Sequence, residues 1–307
     1  MEHRPLGGSG IHVSALALGS WRTYERMPRE QGVAVMKAAR EAGVSLLDDA
    51  RYNDETGAAP LPTGYSEVVF GELFRATGWV REEVVVSNKL WWEFWPEQTA
   101  AEELDGSLGR MGFDYVDLIY SERAPEGLSV EELVDEVAGL IRAGKARVWG
   151  LLNWPAEQIE EAGRLATSGG VPPPYAAQLA YSVVTRSPVE DPATVAALAS
   201  CGASVVASEV LARGALTGRG NTGRASEAAT PRLQRAFDVA GTLAELARDL
   251  DASPVQLALA FVLSNRQVAT ALFGASRPEQ VRENAAALDV LERLTDDDLA
   301  RLRALAA

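Results

Sequence analysis

Lys89 is one of only three lysines in a chain that otherwise takes its positive charge from arginine. Lys37 and Lys145 read as helix-surface and turn positions, whereas Lys89 follows an apolar run in VVVSNKLWW. A lysine in such a place carries a charge that its surroundings can shift or exploit. Two acids, Asp48 and Asp49, end a second apolar run in VSLLDDARYND, and Glu122 follows a third in DYVDLIYSERAPEG. An aspartate beside a buried lysine helps both stay charged, and the local positive field predicts a lowered pKa for a neighbouring phenol. A phenol so placed donates a proton to a substrate oxygen that is gaining negative charge. Tyr52, within DDARYND, and Tyr65, which opens the next helical segment in GYSEVVFG, both compete for that role. The plainer reading of Asp48 and Lys89 is an ion pair at a solvent rim.

These residues need elements that bring them together. Short apolar runs recur at residues 15–19, 44–48, 83–87, 115–120, 146–152, 175–179, 203–208 and 268–274. Helix-like segments lie between them, several closing on a glycine suited to a left-handed cap. Eight strands without strict alternation, each followed by a helix, predict a parallel sheet covered on both faces. That count in a chain of this length predicts a single (β/α)8 TIM barrel over residues 1–307, with an N-terminal hairpin lidding the barrel floor and an extra C-terminal helix opening at LTDDD. A doubly wound sheet is the competing architecture, but ALALGSWRTYER lacks the G-x-G-x-x-G turn expected after its first strand. In a barrel, chemistry gathers where strands exit. The exits carry Asp48–Asp49, Asn88–Lys89, Glu122, Asn153, Gln178, Ser208–Glu209 and Ser276–Arg277. An ammonium, acids and amides converging on one rim predict a site.

Composition narrows what that site serves. A net charge of −14 argues against nucleic acid and anionic membrane surfaces as partners, while leaving room for a local phosphate site. The two histidines, His3 and His12, both precede the first unit, which disfavours histidine-dependent nucleophiles and the usual zinc sites; no metal is expected. Cys201 is the single cysteine and reads as a small buried residue, which suits a cytoplasmic location. The start lacks a signal peptide's apolar segment, and no run is long enough to span a bilayer.

In order along the chain, PLGGSGIHVSALALGSW, GVSLLDDARY, SEVVFGELF, VVVSNKLWW, DYVDLIY, GKARVWGLLNWPAEQI, AQLAYSVVTRSP, SEVLARGALTG and FGASRPEQVRENAAAL resemble the aldo-keto reductases, NADPH-dependent (β/α)8 oxidoreductases. The resemblance implies catalytic roles for Asp48, Lys89 and a tyrosine. That tyrosine is usually five residues after the aspartate, where this chain has Asn53, so Tyr52 falls one early and Tyr65 follows the insertion NDETGAAPLPTG. Tyr52 is the preferred candidate, because loop length can vary without moving the strand end. Asp49 replaces a usual threonine. Glu122 stands where the family usually has histidine, and steroid 5β-reductases of the same superfamily carry glutamate there. The resemblance implies a carbonyl, conjugated C=C or imine acceptor, with Glu122 either a protonated donor in a dry site or a solvated acid paired with Arg123.

The resemblance also implies NADPH contacts at Gly19, Ser20, Trp21, Asn153, Gln178, Ser208, Leu211, Arg213, Gly214, Gly274, Ser276, Arg277, Gln280 and Asn284, with residues 216–232 as a strap over the pyrophosphate. Leu152 replaces a usual serine, removing a hydrogen bond of about 1 kcal/mol. Ser208 replaces the usual ring that stacks on nicotinamide, leaving Trp21 as the candidate. Trp91 and Trp92 are expected to wall a small, apolar or aromatic substrate, because a loop at a barrel mouth is a poor place for core. The expected assembly is a monomer or weak homo-oligomer. Two other readings stay open: an NADPH-binding regulatory protein resembling potassium-channel β subunits, and an unrelated barrel lyase or isomerase.

Overall fold

A computed structural model describes residues 1–218 and 230–305. Among the described residues there are ten strands: β1 (His3–Pro5), β2 (His12–Ser14), β3 (Leu16–Gly19), β4 (Leu46–Asp48), β5 (Val85–Leu90), β6 (Val116–Ser121), β7 (Ala146–Leu152), β8 (Ala176–Ala180), β9 (Ser204–Ser208) and β10 (Val268–Phe273). Strands β3 to β10 close a parallel barrel in the order β10-β3-β4-β5-β6-β7-β8-β9. This is the (β/α)8 architecture expected from the apolar beat. Most boundaries shift by one or two residues, and one shifts further. The third barrel strand runs over 85–90 rather than 83–87, so Asn88 and Lys89 lie inside it. Residues 81–83 form a tight turn, and the ladder extends past Lys89 to pair Leu90 with Ser121. Charge does not end the strand because Lys89 finds its counter-ion across the sheet.

The strands are buried on both faces, which explains their poor alternation. Inside the barrel, Ala17, Leu46, Val85, Leu118, Val148, Ala176, Val206 and Ala269 pack together. Outside, the helices bury a second apolar layer against the strands. The helix Ala100–Met111 starts from a reciprocal Thr99–Glu102 cap and Val130–Arg142 from Ser129–Glu132. Such caps satisfy backbone donors that the helix start leaves open. The C-terminal helix Asp296–Ala304 begins in the same way at Thr295 and Asp298.

The antiparallel pair β1–β2 carries Leu6, Ile11 and Val13 into the apolar cluster inside the barrel, sealing the end where the strands begin. Its turn docks closely. The Gly8 N–H donates to the Gly202 carbonyl at 2.8 Å and the Gly7 N–H to Ser204 Oγ at 2.9 Å. Among the described residues, no helix is long and apolar enough to cross a membrane.

Candidate active site

Asp48 closes β4 in register with Ser87 of β5, which brings it beside Lys89, two residues along the same strand. Asp48 Oδ2 accepts from Lys89 Nζ at 2.7 Å. Its Oδ1 accepts from Ser87 Oγ at 2.7 Å and from Gln178 Nε2 at 3.2 Å. Three donors around a buried carboxylate compensate for the solvent it has lost. The ammonium is equally committed: its other bonds go to the Asp49 carbonyl at 3.2 Å and to Tyr52 Oη at 3.3 Å. An ammonium has three donors and no acceptor. The phenol oxygen therefore receives a hydrogen from Lys89, and the phenol's own hydrogen is left to point elsewhere.

Burial holds the Tyr52 hydroxyl well above the usual phenol pKa, and the Asp48 and Asp49 carboxylates push it further the same way. This reverses the expected lowering. The Lys89 charge is spent on Asp48, so the net field at the phenol is not positive. Tyr52 is thereby kept as a neutral phenol.

Asp49 is fully buried. It accepts a short bond from Ser20 Oγ, while its Oδ2 has no partner among the described residues. Burial, then the nearby Glu67, raises its pKa well above the carboxylate range. Glu67 is itself buried, accepting from Asn88 Nδ2 at 2.8 Å and Arg110 Nε at 2.6 Å.

Above this cluster opens a cavity of about 470 Å³. Asp48, Tyr52, Lys89, Trp91, Glu122 and Leu152 line one end of it. The Tyr52 and Trp91 rings lie 6.1 Å apart. Tyr65 lies elsewhere: its hydroxyl accepts from Arg29 at 2.9 Å, and it is absent from the lining. Trp92 also departs from expectation. It is buried in the helix–strand layer, donating from Nε1 to Ser121 Oγ at 2.9 Å and meeting Trp95 edge-on. A positive φ of 59° at Trp92 turns the loop inward, so this mouth loop does contribute core.

The insertion after Tyr52 leaves the tyrosine in place because its neck is closed. The Gly64 N–H donates to the Tyr52 carbonyl at 2.9 Å, and Asn53 bridges Thr63. Inside the loop, Asp54 accepts from the Thr56 hydroxyl and N–H and from the Ala59 N–H, which lowers its pKa to about 2. Glu55 clamps onto Arg22 and Arg26, in the turn that carries Trp21.

Glu122 reaches the cavity but not as a dry acid. Its side chain is 30 % exposed, with Arg123 Nε at 3.9 Å and the Arg123 N–H on Oε1 at 3.3 Å.

The rest of the cavity's lining, starting at Gln178 beside Asp48, offers groups that would suit a dinucleotide. Asn153 and Gln178 offer amides, Gly19, Gly214 and Gly274 offer bare backbone, and Arg213 offers a guanidinium. A Cβ at Gly214 would meet nothing within 4 Å, consistent with open space beside it. Trp21 lines this part with Arg22 and Arg213 over its ring at 4.4 and 5.3 Å, and Ser208, Leu211 and Gln280 line it too. Ser20, Ser276, Arg277 and Asn284 do not line it. Ser20 is buried by its bond to Asp49, and Asn284 is buried in its helix. Ser276 and Arg277 are exposed beyond the end of the cavity, their N–H groups held by Gln280 Oε1 at 2.8 and 3.1 Å. Most of the strap expected over 216–232 lies outside the described residues.

Sequence reasoning missed Val210, Leu272 and Phe273, which also line the cavity, as does Thr217 at the start of the expected strap. Leu272 and Phe273 end β10 and were legible as strand-exit positions. The conformation of the 208–214 turn had no such signal: Glu209, Ala212 and Arg213 adopt φ of 52°, 46° and 56° without being glycine. Arg22, Trp92 and Asn153 do the same, so six of the seven such residues sit in loops at the barrel mouth, where the fold tolerates local strain. Among the described residues, no cluster of His, Cys, Asp and Glu is arranged to hold a metal ion.

Comparison with known proteins agrees with this geometry. The chain is 33% identical over 324 residues to a putative voltage-gated potassium channel subunit beta of Schizosaccharomyces pombe, covering 97% of this chain and 91% of that protein. It is 31% identical over 325 residues to a probable subunit of the same kind from Oryza sativa subsp. japonica, covering 99% and 96%. A third, from Arabidopsis thaliana, is 29% identical over 315 residues, covering 96% and 93%. The profile of the Aldo/keto reductase family matches residues 15–307. With a closed eight-stranded barrel and a match over nearly its whole length, the chain belongs to the aldo/keto reductase family.

Proposed function

We infer that the chain is an NADPH-dependent oxidoreductase acting on a carbonyl or conjugated double bond of a small, apolar or aromatic molecule. The observation that carries this reading is the bonded series Asp48–Lys89–Tyr52 at the cavity's inner end. Asn153 and Gln178 would hold the nicotinamide amide, with Arg213 and the glycine backbones beside the phosphates. Bound there, the cofactor supplies hydride. Tyr52, kept protonated by burial, donates a hydrogen bond and then its proton to the substrate oxygen. Lys89 holds the phenol oxygen and steadies it as charge develops there, and Asp48 holds Lys89 in place. Such positioned proton donors contribute about 10²–10⁴-fold to rate. Glu122 and Trp91 shape the substrate end. The protein acts as one unit in the cytoplasm, as a monomer or weak homo-oligomer.

A second reading comes from the relatives' names: a cofactor-binding regulatory subunit of a potassium channel with little turnover. The departures at Glu122, Leu152 and Ser208 favour it. One experiment separates the two. NADPH binding is followed by fluorescence, and its oxidation by absorbance against a panel of aldehydes, ketones and enones. Oxidation that Lys89→Met abolishes supports the oxidoreductase; tight binding without oxidation across the panel supports the regulatory subunit. Absence of NADPH binding would sink both.

A further inference from the structure

The substrate end of the cavity has one carboxylate that the proposed chemistry leaves largely unused. Register fixes its surroundings. Leu90 of β5 pairs with Ser121 of β6, and Ser121 pairs with Leu151 of β7. The next residues along these strands are therefore Trp91, Glu122 and Leu152, side by side at one level of the rim. All three line the cavity. The Glu122 N–H donates to the Leu90 carbonyl at 2.9 Å, which pins the backbone beneath the side chain. Of its two carboxylate oxygens, Oε1 takes the weak Arg123 N–H bond and the distant Arg123 guanidinium. Among the described residues, Oε2 has no hydrogen-bond partner. Arg123 is itself 61% exposed and pairs at the edge of contact range. The other charged groups of the cavity are engaged more closely: Asp48 with Lys89 at 2.7 Å, and Glu209 with Arg232 and Arg213.

A carboxylate set between an indole and a leucine, with one oxygen open, is the complement of a cation on an apolar body. The indole adds cation–π attraction, and the apolar flanks weaken the solvent's screening of the pair. The chain's net charge of −14 favours the approach of cations to any cleft. We propose that Glu122, flanked by Trp91 and Leu152, is the specificity residue for a substrate bearing a protonated or quaternary amine on an apolar or aromatic body. The amine is a bystander held by charge; no bond to it forms or breaks. This deepens the oxidoreductase reading for turnover, but the binding it asserts stands apart from turnover.

The test has two arms. In the first, benzyltrimethylammonium is titrated into the NADP⁺-loaded protein and followed by tryptophan fluorescence and calorimetry. Wild type binds it about tenfold more tightly than Glu122→Gln does, and Glu122→Asp, which keeps the charge, retains most of the affinity. In the second, 4-(trimethylammoniomethyl)benzaldehyde is compared with its neutral isostere, 4-(2,2-dimethylpropyl)benzaldehyde. Wild type prefers the cation about tenfold in kcat/KM, and Glu122→Gln brings the ratio to within about twofold of unity. Equal affinity for benzyltrimethylammonium in wild type and Glu122→Gln overturns the proposal. So does a cation preference that survives Glu122→Gln. If neither aldehyde is reduced, the binding arm alone decides this proposal, and the oxidoreductase reading is judged separately on its panel of aldehydes, ketones and enones.

Discussion

The two ends of the barrel are built from the same strands and differ in almost everything else. At the floor, Leu46, Val85, Leu118 and Ala176 point inward and meet Leu6, Ile11 and Val13 of the hairpin. One or two inward steps up the same strands, the residues become Asp48, Ser87 and Lys89, then Tyr120 and Glu122, and Gln178. The floor is sealed by apolar packing and a glycine turn; the mouth is held by hydrogen bonds and loops with positive φ. Stability and chemistry are thus separated along each strand by about two residues, which is why one barrel supports a reactive rim without loosening its base.

That contrast is broken most severely by Lys89→Met. We expect turnover to fall by about 10²–10⁴-fold, with NADPH affinity within about tenfold of wild type. Leaving Asp48 buried without its partner also destabilises the fold, by about 3–5 kcal/mol in urea melts. The double variant Asp48→Asn/Lys89→Met recovers stability and not turnover. Tyr52→Phe comes next: kcat drops by about 10²–10⁴-fold while Tyr65→Phe stays within about twofold of wild type, read by single-turnover kinetics.

Gly7→Ala probes the other end. Gly7 has φ of +53°, and a Cβ there would run into the carbonyl oxygens of Gly202 and Tyr175. Stability should fall by about 1–3 kcal/mol, with kcat per folded molecule unchanged. If this floor variant altered kcat, the separation of the two ends would be lost. Asp49→Asn sharpens the picture through pH. Asp49 holds its proton in the fold to a higher pH than in the unfolded chain. Wild type therefore loses stability relative to Asp49→Asn as pH rises from about 4 toward the raised pKa, and below about 4 the difference between the two no longer changes with pH. Urea midpoints across pH measure this. The smallest effect is expected for Asp54→Ala: faster proteolysis within residues 53–63, with the global melt unmoved.

Much of the barrel was legible because parallel strands covered on both faces write themselves as short apolar runs separated by helical periodicity. The exits of those runs gave Asp48, Lys89, Glu122, Asn153 and Gln178, all of which line the cavity. What the chain hid was set by tertiary geometry. The strand through Lys89 extends because a counter-ion waits on β4, a fact visible only once the strands pair. Trp92 looked like a wall because its neighbour is one; a single left-handed residue sends it into the core instead. The phenol's shift had the opposite sign from expectation because burial itself raises it, and the Asp48 and Asp49 carboxylates add to that rise.

The closed neck at Tyr52 and Gly64 separates the length of segment 53–63 from the position of the phenol. Its internal bonds run from Asp54 to Thr56 and Ala59, and its outer clamp is Glu55 on Arg22 and Arg26. Such a segment behaves as an interchangeable cassette. A change in its length is expected to leave the Tyr52 ring where it is, because the neck closes beneath the segment.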